Sequence, residues 1–189
     1  MIIKQAVLCV LMRVIFLRHG QYDYNLKRVI NQDKKIKIGL NETGKKQAFE
    51  VSGKLKRKKI ELIFCSEFLR ARETAEIINK VLGAKIKFDK RVNEFKAGRE
   101  FEGKTTRFYL DKEAGNKYNF KTKDGESWNE LVERLSEFLN SLKKKKYECV
   151  LVVSHEWPIM AAREAVFKLS NYEGRNSRVG NCELLEFEL

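Results

Sequence analysis

The sequence predicts a three-layer α/β/α sandwich, in which a mostly parallel β-sheet is covered by helices on both faces. Two uninterrupted apolar runs, residues 13–17 and 149–153, have the composition and length of strands buried on both faces. Strand-like and helix-like patterns alternate along the chain, which favours a parallel sheet. The 189 residues contain one proline and no low-complexity linker, so we predict a single domain over residues 1–189.

Five strands are predicted from short apolar runs that are bounded by polar or turn-forming residues. They cover residues 13–17, 61–65, 84–88, 149–153 and 182–189. Residues 1–11 precede the first strand and are either an N-terminal extension or a misplaced start.

Helices are predicted where apolar residues recur at helical spacing. The first begins near Asn41 or Thr43, after a polar and irregular stretch over residues 20–40. The second carries an apolar stripe over residues 69–82 and ends at Gly83, because glycine is the usual residue just past a helix end.

The second half of the chain starts with a weakly patterned insertion over residues 89–125, which we expect to contain one short helix and to select the substrate. Ser127 and Glu130 then form an S-x-x-E capping box that predicts the start of a long helix. The last predicted helix has Pro158 in its first turn and buries apolar residues as far as Leu169.

The formal net charge of +13 favours an anionic partner. Small phosphorylated molecules, nucleic acid and acidic proteins all satisfy that condition. The lysine-rich clusters at residues 54–59 and 143–146 fall at predicted helix ends, where cations are favoured by the helix dipole. No basic motif interleaved with aromatic residues is present, so nucleic acid is not an expected partner.

The four cysteines are scattered without a C-x-x-C pair: Cys9, Cys65, Cys149 and Cys182. This distribution is typical of reduced core residues and predicts a cytoplasmic protein. No stretch approaches the roughly 20 apolar residues of a membrane span, so no membrane association is expected.

Both histidines of the chain, His19 and His155, directly follow the two predicted buried strands. Ligands of open parallel sheets bind just beyond the carboxyl ends of the strands. We therefore expect both imidazoles at one edge of the sheet. Arg18 can share a pocket with His19 only if the strand ends there, and Gly20 permits such a turn.

A second motif, residues 66–74, begins where the second strand ends and places Arg70 in the first turn of a helix. A guanidinium beside free backbone N–H groups suits a phosphate. Cys65 and Arg70 are separated by four residues, whereas a tyrosine-phosphatase loop needs five, so Cys65 is predicted to be a core residue.

In combination, these segments resemble the histidine phosphatase superfamily, also called the phosphoglycerate-mutase-like family. The matches occur in family order over residues 13–189. They comprise Leu17–Gly20 with Asn25, Leu40–Ala48, Ser66–Thr74, Glu94 with Gly98, Gly125–Ser127 with Arg134, Ser154–His155, and Asn181.

The resemblance implies a catalytic role for three residues: His19 is the nucleophile that becomes phosphohistidine, Glu94 is the acid for the leaving group, and His155 contributes to the phosphoryl pocket. It implies that phosphate is bound by Arg18, Arg70, His155, Asn25 and Asn181. It also implies that neither a metal nor another cofactor is required.

Three features depart from the family pattern. Glu156 follows the second histidine where glycine is usual, the segment from Glu94 to Gly103 carries one extra residue, and residues 21–24 lack the common threonine. A carboxylate beside the phosphate pocket would repel the substrate unless it points away or pairs with an arginine.

The expected function is that of a metal-independent phosphomonoesterase for a small phosphorylated metabolite. The alternatives are a phosphoglycerate-mutase-type phosphoryl transferase and a catalytically weak protein that binds a phosphorylated ligand. The sequence leaves the substrate and the oligomeric state open.

Overall fold

A computed structural model describes residues 11–189, and its core is a five-stranded sheet. The strands are β1 (Arg13–Arg18), β2 (Leu62–Cys65), β3 (Lys85–Phe88), β4 (Cys149–Ser154) and β5 (Leu184–Glu188). Their order across the sheet is β3-β2-β4-β1-β5. The first four strands are parallel to one another, and β5 pairs with β1 in the antiparallel direction. The predicted mostly parallel sheet is confirmed.

Within the described part of the chain, seven α-helices flank the sheet. They are α1 (Asp23–Lys27), α2 (Glu42–Leu55), α3 (Leu69–Leu82), α4 (Thr106–Glu113), α5 (Trp128–Lys143), α6 (Glu156–Phe167) and α7 (Asn171–Asn176). Short 3₁₀ turns cover residues 56–58, 90–92 and 99–101. Among residues 11–189, no helix combines the length and the apolar character needed to cross a bilayer.

The alternation of side chains along β1 separates two hydrophobic layers. Val14 and Phe16 lie in the cluster formed with α5 and α6, whereas Ile15 and Leu17 lie in the cluster formed with α2 and α3. All four side chains are completely buried, and burial of each is worth about 1.5–3 kcal/mol. The predicted α/β/α sandwich is therefore confirmed, with β1 and β4 as its central strands.

Three sequence-based expectations about elements are wrong. The stretch over residues 20–40 is not wholly irregular, because α1 lies within it. The helix α6 ends at Phe167, and Lys168 takes a left-handed conformation (φ 53°), so Leu169 lies outside the helix. A lysine at that position gives no visible stop signal. Helix α7 went unpredicted, although Ser170 and Glu173 form a capping box at its start.

The insertion over residues 89–125 contains one α-helix, α4, and it folds over the carboxyl edge of the sheet. Thr105 caps α4 and forms an isolated antiparallel bridge with Val29, which joins the insertion to the segment that follows α1. Tyr109 of α4 is 2% exposed and packs against the core. The predicted N-terminal extension, residues 1–11, lies outside the described residues apart from the exposed Leu11.

The capping box at the start of α5 has the predicted form: the Ser127 hydroxyl accepts from the Glu130 N–H, and the Glu130 carboxylate accepts from the Ser127 N–H. We expect Ser127→Ala to lower the free energy of unfolding by about 1 kcal/mol, because it leaves a helix N–H without its partner. Ser141→Ala is the matched control, because Ser141 lies in the same helix and its hydroxyl bonds only the Phe138 carbonyl. Urea denaturation measures both, and equal losses would contradict the capping role.

Candidate active site

The two histidines leave the sheet side by side because their strands are neighbours. Arg18 at the end of β1 is paired with Ser154 at the end of β4, and the next residue of each strand is a histidine. The His19 N–H donates to the Ser154 carbonyl at 2.9 Å, and the two imidazole centroids are 5.0 Å apart. Both rings are buried. The expected meeting of the imidazoles at one sheet edge is what the structure shows.

Hydrogen bonds fix the tautomer of His19. Its Nδ1 lies 2.7 Å from the Gly20 carbonyl, which can only accept, so Nδ1 carries the proton and Nε2 carries the lone pair. The Nε of Arg70 donates to that Nε2 at 3.2 Å. Burial, followed by the charges of Arg70 and Arg18, holds the pKa of His19 well below its ordinary value. The ring is therefore neutral and nucleophilic.

Close backbone packing explains the glycine after His19. A Cβ atom at Gly20 would lie 2.5 Å from the carbonyl oxygen of Gly44 at the start of α2. The Gly20 N–H donates to the Thr74 hydroxyl at 3.0 Å. The loop that orients His19 therefore has no room for a side chain at this position.

Arg70 is a buried cation, 1% exposed, in the first turn of α3. Its Nη1 donates to the Asn31 side-chain oxygen at 2.9 Å, and its Nη2 donates to the Asn31 carbonyl at 3.2 Å. The rings of Tyr22 and Phe68 lie 4.7 and 4.6 Å from the guanidinium carbon. These contacts hold the guanidinium in one orientation, with Nε directed at His19.

The loop that contains Asn31 is itself held by Glu102. This carboxylate accepts hydrogen bonds from the Asn31 side chain and from the backbone N–H groups of Gln32 and Asp33, at 2.8–3.2 Å. Glu100, by contrast, is exposed. Of the three glutamates in residues 94–103, Glu94 is therefore the one that reaches the histidines.

The second histidine is fixed through a relay of polar side chains. The Asn93 side-chain oxygen accepts from the Glu67 N–H, and its amide nitrogen donates to the Glu67 carboxylate, so the orientation of the Asn93 amide is determined. The Ser66 hydroxyl donates to that oxygen at 3.1 Å and must then accept from Nε2 of His155 at 2.7 Å. Nδ1 of His155 therefore faces the site and carries a proton only when the ring is cationic.

Glu94 lies where a proton donor is needed. One carboxylate oxygen is 3.5 Å from Nδ1 of His155 and 3.5 Å from Nη2 of Arg70. Burial raises the pKa of Glu94, although Arg70 opposes the shift, so the carboxyl tends to hold its proton. The backbone before Glu94 is held by Arg134, which donates to the carbonyls of Arg91 and Asn93.

Burial, Arg70 and His19 lower the pKa of His155 well below its ordinary value, so this ring too is neutral before an anion binds. Within residues 11–189, three buried side-chain nitrogen atoms lack a hydrogen-bond partner: Arg13 Nε, Arg18 Nε and His155 Nδ1. The last two belong to this site. Together with Arg70 they form a pocket whose polar atoms suit a tetrahedral anion.

Asn25 and Asn181 join the loops around His19. The Asn181 amide donates to the His19 carbonyl at 2.9 Å and to the Asn25 side-chain oxygen at 3.1 Å, and Asn25 also caps the start of α1. Both residues line the cleft beside the histidines. Their observed contacts orient protein segments, and their phosphate contact stays a prediction.

Glu156, which stands where the family usually has glycine, forms ion pairs with two arginines. Its carboxylate lies 3.1 Å from Nη1 of Arg18 and forms a second ion pair with Nε of Arg178. Arg18 also donates from Nη1 to the Val179 carbonyl at 2.5 Å, which leaves its Nε for a ligand. The expected repulsion of the substrate is thus neutralised locally.

The site opens into a cleft of about 650 Å³ between α1, α4 and the start of α6. Arg18, Glu94 and Glu156 are among the residues that line it. Its walls carry aromatic side chains and cations: Tyr22, Tyr24, Lys27, Arg28, Phe95, Arg107, Tyr109, Trp157 and Arg178.

A metal ion does not suit the centre of this site. His19, Glu94 and His155 offer ligand atoms that lie within 4.8 Å of one another. The guanidinium of Arg70, however, already contacts His19 Nε2 and approaches the Glu94 carboxylate. A second cation beside it would be repelled.

Cys65 is excluded as a nucleophile by its surroundings. The thiol is completely buried in the sheet, and burial raises its pKa to about 12. The thiolate that a tyrosine-phosphatase mechanism needs is therefore disfavoured.

Four contributors to the site escaped the sequence analysis: Tyr22, Asn31, Asn93 and Arg178. Each lies in an irregular segment and is brought to the site by the path of the loop. Tyr22 and Asn93 lie close in sequence to His19 and Glu94, and this proximity could have indicated them. Nothing in the spacing of the sequence indicates Asn31 or Arg178.

Known proteins are similar in sequence to this chain over most of its length. A candidate phosphoserine phosphatase of Hydrogenobacter thermophilus is 30% identical over 152 residues, which cover 76% of this chain and 72% of that protein. A probable phosphoglycerate mutase, GpmB, of Erwinia tasmaniensis is 26% identical and covers 92% of this chain and 83% of its own length.

Solved structures show the same fold. A mycobacterial glucosyl-3-phosphoglycerate phosphatase in complex with VO3 superposes with a TM-score of 0.79 at 24% identity, over 93% of this chain and 90% of that one. A phosphoserine phosphatase of Entamoeba histolytica in complex with 3-phosphoglyceric acid gives a TM-score of 0.79 at 22% identity, with the same coverage.

The model of the histidine phosphatase superfamily, branch 1, matches residues 14–189, which include both histidines, Arg70 and Glu94. The chain therefore belongs to this superfamily and is a histidine phosphatase.

Proposed function

We propose that this phosphatase is a metal-independent phosphomonoesterase that acts through a phosphohistidine on His19. The observation that carries the proposal is the convergence of a neutral imidazole, two guanidiniums and a second imidazole on one buried pocket. The lone pair of His19 Nε2 supplies the nucleophile, and the cations supply the charge that a phosphoryl group requires.

In the first step, His19 Nε2 forms a bond to phosphorus while the bond from phosphorus to the ester oxygen breaks. The Glu94 carboxyl gives its proton to the leaving oxygen. Arg18 and Arg70 stabilise the negative charge of the transferring oxygens, because a largely buried cation interacts strongly with a nearby anion. The bound phosphoryl group raises the proton affinity of His155, which then donates from Nδ1.

In the second step, water attacks phosphorus as the bond between phosphorus and Nε2 breaks. The Glu94 carboxylate, now without its proton, takes one proton from that water. Inorganic phosphate leaves, and His19 returns to its neutral form, with the proton still on Nδ1 and donated to the Gly20 carbonyl.

The cleft supports a small phosphorylated metabolite as the substrate, since its volume exceeds that of a phosphate group alone. The insertion supplies much of its wall, including Phe95, Thr106 and Tyr109. This position supports the predicted role of residues 89–125 in selecting the substrate.

The mutase alternative differs in the acceptor of the phosphoryl group, which is a second metabolite rather than water. The weak-binder alternative arose from Glu156 and from the altered loop. The pairing of the Glu156 carboxylate with Arg18 and Arg178 removes the first of these two reasons, because the pocket remains positive.

Removal of the nucleophile tests the reaction directly. We expect His19→Ala to lower kcat at least 10³-fold on an aryl phosphate in the presence of a chelator, since the covalent step is lost. After brief incubation with a ³²P-labelled ester and alkaline quenching, the unaltered protein should carry an acid-labile label. Cys65→Ala is the control and should keep both label and activity, and retention of label by His19→Ala would refute the nucleophile.

The pH profile reports the two key protonation states. The lowered pKa of His19 keeps the nucleophile neutral well below the ordinary histidine range, and the raised pKa of Glu94 keeps the acid protonated above the ordinary carboxyl range. We expect kcat/KM for an alkyl phosphate to be maximal at acidic pH and to fall as pH rises through the pKa of Glu94.

Glu94→Gln should abolish that alkaline decline and reduce alkyl ester hydrolysis about 10²- to 10⁴-fold. It should affect formation of the phosphoenzyme from 4-nitrophenyl phosphate much less, because that leaving group needs no proton. Equal losses on both esters would contradict the role of Glu94 as acid.

The tautomer of His155 gives an independent test, because the chain has only two histidines whose ¹⁵N signals can be resolved. We expect the unaltered protein to show His155 protonated at Nε2 and Ser66→Ala to lose this preference, with about a 10- to 100-fold lower kcat. Ser154→Ala is the matched control, because that buried hydroxyl bonds the Val92 carbonyl and not the ring. An unchanged tautomer in Ser66→Ala would disprove the relay.

A further inference from the structure

Glu156 holds an arginine at the wall of the cleft. Its carboxylate lies between Arg18, which faces the phosphoryl pocket, and Arg178, whose side chain is 73% exposed. The ion pairs and hydrogen bonds found within residues 11–189 use only Nε of Arg178. Nη1 and Nη2 are thus available to a ligand, in the fork geometry that suits a carboxylate or a phosphate.

The segment that carries Arg178 is fixed to the end of β1. The Val179 carbonyl accepts from Arg18, the Asn181 amide donates to the His19 carbonyl, and the Cys182 N–H donates to the Arg18 carbonyl at 3.0 Å. These three bonds join the segment to the two residues that begin the active site. The position of Arg178 relative to the nucleophile is therefore set before a ligand binds.

The charges along the cleft also favour an anion beyond the transferring phosphoryl group. The cleft has two carboxylates, Glu94 at the histidines and Glu156 between its two arginines. Lys27 and Arg28 at the end of α1 and Arg107 of α4 also line the cleft. Arg107 is paired with Asp111, but within residues 11–189 no carboxylate of this lining pairs with Lys27 or Arg28, so the cleft attracts a second anionic group.

We infer that the substrate is a phosphate monoester whose leaving group carries a second anionic group, and that Arg178, positioned by Glu156, binds that group. This inference rests on the proposed phosphomonoesterase activity and adds the substrate class to it. Arg178 determines specificity, whereas Glu156 is a positioning residue that acts through Arg178.

The test uses two esters that differ at a single group. In 3-phosphoglycerate a carboxylate stands where glycerol 3-phosphate has a hydroxymethyl group. We expect the unaltered enzyme to prefer the carboxylate ester, and Arg178→Gln to reduce the ratio of the two kcat/KM values about tenfold. The loss should arise mainly from a higher KM for 3-phosphoglycerate, because Arg178 does not touch the reacting atoms.

Arg57→Gln is the matched control, since Arg57 is an exposed arginine in the 3₁₀ turn after α2 and does not line the cleft. It removes the same charge and should leave the ratio unchanged. An equal fall in both variants, or no fall in Arg178→Gln, would overturn the inference, because the first outcome indicates only general electrostatic attraction.

Glu156→Gln separates positioning from charge. It keeps the charge of Arg178 but removes the ion pair that orients it, so the ratio should fall to an intermediate value. A ratio equal to that of the unaltered enzyme would remove the positioning role.

Calorimetric measurement of the binding of both esters to the same variants distinguishes failure of the anion subsite from failure of the proposed phosphomonoesterase activity. If the enzyme hydrolyses neither ester but binds 3-phosphoglycerate about tenfold more weakly after Arg178→Gln, the anion subsite stands and the phosphomonoesterase proposal fails. If it hydrolyses both esters with equal kcat/KM and binds them equally, the subsite fails and the phosphatase remains.

Discussion

The site depends on one buried positive charge, the guanidinium of Arg70. Removal of a cation from water is costly unless its hydrogen bonds and charge are met inside the protein. Here Asn31 meets two of the bonds and two aromatic faces cover the group, but its direct hydrogen-bond partner at the reaction centre is the neutral imidazole of His19. The Glu94 carboxyl group lies 3.5 Å from Nη2, but burial raises its pKa, so the balance of charge is left to a bound anion. Burial lowers the pKa of both histidines, and the same cation lowers it further, so Arg70 contributes both to anion binding and to nucleophilicity.

Much of this arrangement could be predicted from the sequence. Two apolar runs followed by histidines predicted the parallel sheet and the edge at which the imidazoles meet, because strands buried in a parallel sheet form continuous apolar runs in the sequence. Arg70 was recognisable from its place in the first turn of a helix. Glu94 was found by resemblance to a family motif.

The remainder depends on loops, whose paths carry no periodic signal. Asn31 is a polar residue in a polar stretch, and it becomes a partner of Arg70 only because Glu102, 71 positions away, binds the same loop. Arg178 and Glu156 likewise meet through tertiary structure alone. The sequence indicated that a carboxylate at position 156 either points away or pairs with an arginine, but it could not decide between the two or name the arginine.

The direction of the last strand has a topological consequence. If β5 were parallel to the other strands, it would begin at the amino-terminal edge of the sheet, far from the imidazoles. Because β5 runs the opposite way, it begins at the carboxyl rim, and the connection that leads into it must pass over the mouth of the reaction centre. One reversal of chain direction thus lets residues 178–182 complete a pocket that residues 18–20 begin.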